Sequence, residues 1–173
     1  MIRVKAGKRK VVASALTFCF FLQQSFCLQV MATTITGIEG NNGIFNIDPS
    51  AINGDIGFRK YKDFDLSAGD IANLIFHSST KGQDISTFIN LVDNQINIQG
   101  IVNSVSKNGD FTNGNVVFVS PNGMIVGSSG VLNVGSLSVM TPDSEAYEKY
   151  KSDLSRPSLI KDWESKLSAP GTG

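Results

Sequence analysis

The sequence predicts an all-β protein wound as a parallel solenoid. Three observations carry this: short apolar runs of strand length, Gly, Asn and Asp turn signals between them, and no helical periodicity over residues 33–142. The runs are Ile44-Phe45-Asn46-Ile47, Ile71-Ala72-Asn73-Leu74-Ile75-Phe76, Ile96-Asn97-Ile98, Val116-Val117-Phe118-Val119 and Val131-Leu132-Asn133-Val134, rich in the β-branched residues that favour extended backbone. Between them stand Asn42-Gly43, Asn53-Gly54, Asn108-Gly109, Asn113-Gly114 and Asn122-Gly123, residues that tolerate the positive φ of tight corners. Hairpin sheets favour longer strands with clean alternation. Short strands with a corner after each suit coils whose inward side chains stack on those of their neighbours, and Asn at corners is suited to hydrogen-bonded ladders. Leu132, Val134, Leu137 and Val139 show inward periodicity around a Gly135-Ser136 corner. The repeats are irregular, and a β-sandwich is the competing architecture.

Residues 1–32 read as a signal peptide. Arg3, Lys5, Lys8, Arg9 and Lys10 precede an apolar run over residues 11–22, and Val30-Met31-Ala32 offers small side chains for cleavage. Such a run is short for a bilayer-spanning helix, which needs about 20 apolar residues, and Gln23, Gln24 and Ser25 interrupt any extension. A retained membrane anchor is the alternative. Cys27 lacks the flanking residues of a lipoprotein site, since Phe26 and Gln24 do not suit that processing. The leader holds five of the 15 Lys and Arg residues and none of the 15 Asp and Glu, so its removal takes the net charge from zero to −5. A mildly acidic chain without a basic cluster has no electrostatic footprint for nucleic acid. Both cysteines, Cys19 and Cys27, leave with the leader, so no disulfide locks the exported domain before it threads a second membrane.

After Pro142 the composition turns charged and helix-favouring. Asp143-Ser144-Glu145-Ala146-Tyr147-Glu148-Lys149-Tyr150 predicts a short helix. A second is expected beyond it, with Ser155 as cap, Pro157 in its first turn and Leu159, Ile160, Trp163 and Leu167 on one apolar face, Trp163 packing on the β-structure. Residues 143–173 thus form a helical tail and linker, and the Ala169-Pro170-Gly171-Thr172-Gly173 end reads as that of an N-terminal or truncated piece.

Catalytic constellations are sparse. Nucleophilic catalysis needs a base beside Ser or Cys, and past the leader the chain has His77 and no Cys, so no triad is visible. Zinc needs several His or Cys ligands. His77 is expected at a strand end with its ring in solvent. Asp63-Phe64-Asp65 puts two carboxylates on one strand face, a geometry open to a divalent cation, but Arg59, Lys60 and Lys62 nearby suggest that these acids balance surface charge. Phe58, Tyr61 and Phe64 are expected in the core. Enzymes that cut polysaccharides on β-helices line an exposed sheet with charge, whereas the runs 96–101 and 116–119 carry none. The reading is of a non-enzyme without cofactor or metal.

The most specific segment is Asn115-Val116-Val117-Phe118-Val119-Ser120-Pro121-Asn122-Gly123-Met124-Ile125-Val126-Gly127, followed by Gly130-Val131-Leu132-Asn133-Val134-Gly135. Pro121 presets φ at the second position of a tight turn, Asn122 suits the third and Gly123 accepts positive φ before the next strand. Residues 117–140 resemble the signature of the filamentous haemagglutinin N-terminal domain, the secretion domain of two-partner secretion systems, in which Asn-Pro-Asn-Gly links two strands. Ser120 stands where that signature has Asn. Phe58-Arg59-Lys60-Tyr61-Lys62-Asp63-Phe64-Asp65-Leu66 resembles the family's aromatic-rich early strand, and Asn90-Leu91-Val92 with Ile98-Gln99-Gly100 its middle motif. The likeness covers residues 33–142 and is nearest to the leukotoxin-type filamentous adhesins.

The resemblance implies a right-handed, single-stranded, pectin-lyase-like β-helix, the secretion domain of a large surface adhesin. It implies recognition in the periplasm by an outer-membrane barrel transporter with POTRA domains, and folding that seeds further coils outside the cell. Ser120, Pro121, Asn122, Gly123, Asn90, Leu91 and Phe64 are the residues it points to for recognition and folding. Host-cell contact belongs to regions downstream. A passenger fragment of an autotransporter and a carbohydrate-active β-helix are the alternatives, the first needing a translocator barrel in the same reading frame, the second a charged cleft.

Overall fold

The computed structural model describes residues 32–152. The expected leader and the expected second tail helix, Trp163 included, lie outside the described residues. Within them the chain winds through three faces. Strands β1 (Thr34–Ile35), β2 (Ile44–Ile47), β3 (Ala51–Asn53) and β4 (Ile56–Tyr61) make a partial first coil. Three complete coils follow: β5 (Phe64–Leu66), β6 (Ile71–Ile75) and β9 (Thr87–Val92), then β10 (Ile96–Ile98), β11 (Ile101–Val105) and β12 (Asn115–Val119), then β13 (Met124–Val126), β14 (Val131–Asn133) and β15 (Ser136–Met140). In the second coil a two-stranded hairpin, β7 (His77–Ser78) with β8 (Gln83–Asp84), loops out between its second and third faces. The sheets run β1-β5-β10-β13, β14-β11-β6-β2 and β15-β12-β9-β4-β3, and apart from β1 on β5 every strand pairing between successive coils is parallel. This is the parallel β-solenoid that the short runs and corners predict.

The antiparallel partners sit at the start. β1 lies antiparallel on β5 and β3 antiparallel on β4, so each covers the outer edge of one sheet, while β2 ends the third. Arg59 reinforces this end by donating to the carbonyls of Asp48 at 2.8 Å and Gly37 at 3.3 Å. Unpaired strand edges invite pairing with other chains, and these are the usual means of blunting them.

Alternation on each strand fills the lumen. Ile47, Phe64, Leu74, Phe88, Ile96, Ile98, Val102, Val116 and Phe118 are wholly buried in one core cluster. Full burial of such a side chain stabilises by about 1.5–3 kcal/mol. The rings of Tyr61, Phe64 and Phe118 meet edge to face at 5.4 and 5.2 Å across successive coils. Phe58 belongs elsewhere. It points outward into a second cluster with Ile89, Leu91, Val117 and Val119, over which α1 (Ser144–Ser152) lays Tyr147 and Tyr150. The third face is therefore buried on both sides, which explains why its strands read as continuous apolar runs rather than alternating ones. A nine-residue helix is marginal alone, so docking holds it, with Asp143 capping its start through an Oδ1 that accepts from the Ala146 amide at 2.8 Å.

An asparagine ladder climbs the second face. Asn73 donates to Asn46 at 3.0 Å, Asn103 to Asn73 at 3.0 Å and Asn133 to Asn103 at 2.9 Å, with sequence separations of 27, 30 and 30. The ladder runs on the strands, not at the corners where sequence reasoning placed it, because parallel in-register pairing brings these positions level.

Several other expectations need correction. Asp63 and Asp65 do not pair with Arg59, Lys60 or Lys62; each accepts instead from an amide of the next coil, Asn94 and Asn97, at 2.6 Å. The His77 ring is only 13% exposed and lies 2.8 Å from the Asp84 carboxylate across the hairpin. Gly43, Gly54, Gly109 and Gly123 adopt positive φ, but Gly114 does not. It is needed for space, since a Cβ there would sit 2.2 Å from the Phe76 ring. Leu137 and Val139 occupy the inward register of Val116 and Phe118, yet are 38% and 42% exposed because they belong to the last described coil.

Candidate functional site

The corner from the third face to the first is passed three times, at residues 62–63, 93–95 and 120–123. It gathers the seven residues that the resemblance points to for recognition and folding. Asn90 and Leu91 lie on β9 just before the second pass, and Phe64 opens β5 just after the first.

The passes stack through polar groups. The amides of Asp93 and Asn94 donate to the carbonyls of Tyr61 and Lys62 at 3.0 Å each. One coil on, Ser120 Oγ donates to the Asn94 carbonyl at 2.8 Å, Asn122 Nδ2 to the Asp93 carbonyl at 2.9 Å, and Gln95 Nε2 to the Asn122 carbonyl at 3.3 Å. The turn itself closes by Gly123 N donating to the Ser120 carbonyl at 3.2 Å and Asn122 N to Ser120 Oγ at 3.0 Å, with Gly123 at φ 74°. These are the turn roles expected of Pro121, Asn122 and Gly123. Ser120 is fully buried, and its hydroxyl both donates and accepts, so it ties this pass to the one below where the resembling signature has an amide.

Exposure divides the seven residues. Asn122 is exposed, Pro121 and Gly123 are half-buried, and Ser120, Asn90, Leu91 and Phe64 are sealed. Asn90 is a polar group inside the lumen, where its Oδ1 accepts from the Tyr61 hydroxyl at 2.8 Å and its Nδ2 donates to the Phe88 carbonyl at 3.2 Å. Burial pushes the Tyr61 phenol far above its ordinary range, so it stays protonated and available as the donor. Leu91 lies beneath α1 in the outer cluster. In the folded chain the turn is open to solvent and these four side chains are not.

Sequence reasoning missed the outer half of the corner. Asp93 accepts from Tyr147 Oη at 3.0 Å and pairs with Lys151 Nζ at 2.8 Å, fastening α1 to the same stack. The hydrogen bond that Lys151 donates to Asp93 holds its ammonium pKa above the usual lysine range, and burial, then Asp93, raises the Tyr147 phenol. Lys60 Nζ donates to the Lys151 carbonyl at 3.0 Å, at the helix end where cations are favoured. Nothing local in Val92-Asp93-Asn94 signals a helix anchor, since its partners lie 54 and 58 residues away. The asparagine ladder did leave a signal, the recurring triplets Ile44-Phe45-Asn46, Ile71-Ala72-Asn73, Ile101-Val102-Asn103 and Val131-Leu132-Asn133.

Chemically the corner holds shape. Its donors point at backbone carbonyls of the neighbouring pass, and among the described residues no group of three or more His, Cys, Asp or Glu lies together to bind a metal.

Fold and site together define a parallel β-solenoid organised about a stacked polar corner. No family model matches the chain, and no curated protein or solved structure matches it either.

Proposed function

We propose that the chain is the N-terminal secretion domain of a large filamentous surface adhesin, exported through the periplasm and outer membrane. A cognate barrel transporter with POTRA domains recognises it, and its coils seed β-helix folding outside the cell. The observation that carries this reading is the difference between the two ends. At the first coil antiparallel β1 and β3 cover two of the three sheets and β2 ends the third, while among the described residues the last coil ends in three parallel strands, β13, β14 and β15, with none laid over them. Ile125, Val126, Val131, Leu137 and Val139 of that last coil stand 38–48% exposed. A further parallel coil can stack on β13, β14 and β15, and each added coil buries apolar surface and pairs an edge, which favours passage outward over return. The buried positions of Asn90, Leu91, Phe64 and Ser120 fit a partner that reads the chain before it folds.

The test is export of residues 1–173 in a Gram-negative host with and without the transporter encoded nearest the gene. The reading expects protein in the medium only when the transporter is present, and accumulation of the Asn122→Ala/Gly123→Ala chain in the periplasm. Equal export without the transporter, or undiminished export of the double variant, would overturn it.

A further inference from the structure

We propose that a recess at the corner between the second and third faces binds a neutral saccharide. The proposal does not rest on the secretion reading. Between β11 and β12 the chain makes a long excursion that returns through Phe111, Thr112 and Asn113, whereas the last coil turns the same corner with Val134 and Gly135 alone. The mismatch leaves a hollow of about 580 Å³ lined by Phe111, Thr112, Asn113, Leu132, Asn133 and Val134. Small-molecule sites typically enclose about 300–1,000 Å³.

The lining specifies the ligand class. Phe111 is 70% exposed, the most exposed large apolar side chain among the described residues, and an open ring is a stacking platform for the C–H face of a sugar. Thr112 Oγ1 is buried without a hydrogen-bond partner, the single such side-chain atom among the described residues. Buried polar atoms are almost always paired, so this one marks a place where an outside hydroxyl is favoured once the loop gives slightly to admit it. Among the described residues Asn133 ends the ladder, its Nδ2 engaged with Asn103 and its Oδ1 facing no further rung. Asn113 is exposed beside it. Amide and hydroxyl groups both donate and accept, as sugar hydroxyls do. None of the six lining residues is charged, so the recess offers nothing to neutralise a sulfate, phosphate or carboxylate.

The experiment exposes the full chain to an array of neutral oligosaccharides, including malto-, cello- and chito-oligosaccharides, with sialylated and sulfated glycans alongside. Hits are titrated by calorimetry. A neutral glycan is expected to bind, with Phe111→Ala weakening it by about tenfold or more and Phe111→Trp retaining it, as loss and replacement of a stacking ring require. Thr112→Val is expected to weaken binding while leaving the melting temperature unchanged or higher, because its hydroxyl has no partner in the free protein. The proposal is overturned if no neutral glycan binds, if only charged glycans bind, if Phe111→Ala binds as well as the parent, or if the recess is covered by a second copy, seen as self-association that Phe111→Ala abolishes.

Discussion

Ser120 Oγ donates a 2.8 Å hydrogen bond to the carbonyl oxygen of Asn94, 26 residues earlier and one coil below. Ser120 is fully buried. Ser120→Ala removes this bond together with the one the hydroxyl accepts from the Asn122 amide, and should cost about 1–3 kcal/mol. A urea midpoint lowered at unchanged slope is the expected reading. An unmoved midpoint would mean that Asn94 finds another donor.

The asparagine ladder should be strongest in its middle. Asn103 donates to Asn73 and accepts from Asn133, whereas Asn133 shares a single rung with the ladder. At about 1 kcal/mol per net hydrogen bond, Asn103→Ala should destabilise roughly twice as much as Asn133→Ala. Combining Asn73→Ala with Asn103→Ala should be less than additive, since both remove one shared bond. Equal losses at the two positions would show that the side chains act independently.

Inside the lumen, Tyr61→Phe deletes the donor to Asn90 Oδ1 and leaves that atom buried without it. The expected cost is about 1–3 kcal/mol. Tyr61→Phe with Asn90→Leu should recover part of the loss, because removing both partners leaves no orphan. A double variant less stable than Tyr61→Phe alone would indicate that the Asn90 contact with the Phe88 carbonyl dominates.

Docking of α1 should weaken in alkali. Lys151 and Tyr147 both have folded pKa values above their ordinary 10.5 and 10.0, Lys151 through its bond to Asp93 and Tyr147 through burial and then Asp93. A group raised on folding contributes stability that is whole below its unfolded pKa and is lost as pH climbs towards the folded one. Helix signal should hold across neutral pH and fall above about pH 10, by the unfolded phenol value. Tyr61 shares this direction through burial, so the helix component is isolated by Lys151→Met, whose alkaline loss should be shallower. A helix signal already falling between pH 7 and 9 would contradict the arrangement.

Local chemistry made most strands and turns legible. Ile44-Phe45-Asn46-Ile47 and Ile96-Asn97-Ile98 are strands as expected, because β-branched residues bounded by Gly and Asn have few other choices. Gly123 takes the positive φ that its place after Pro121 and Asn122 suggested. The helix after Pro142 likewise follows from composition and the Asp143 cap.

Where side chains go after leaving a strand was not legible. Phe58 and Phe64 look alike in sequence, yet Phe64 enters the lumen and Phe58 an outer cluster, which α1, some 90 residues on, covers. Asp63 and Asp65 look like surface charges beside lysines, but coil stacking brings Asn94 and Asn97 to them first. The sequence by itself determined strand, corner and helix, since backbone preference is a property of a few adjacent residues. Only the tertiary structure decided which residues meet across coils and which face α1 covers, because those contacts depend on a register accumulated over about 30 residues per coil, as the ladder's separations record.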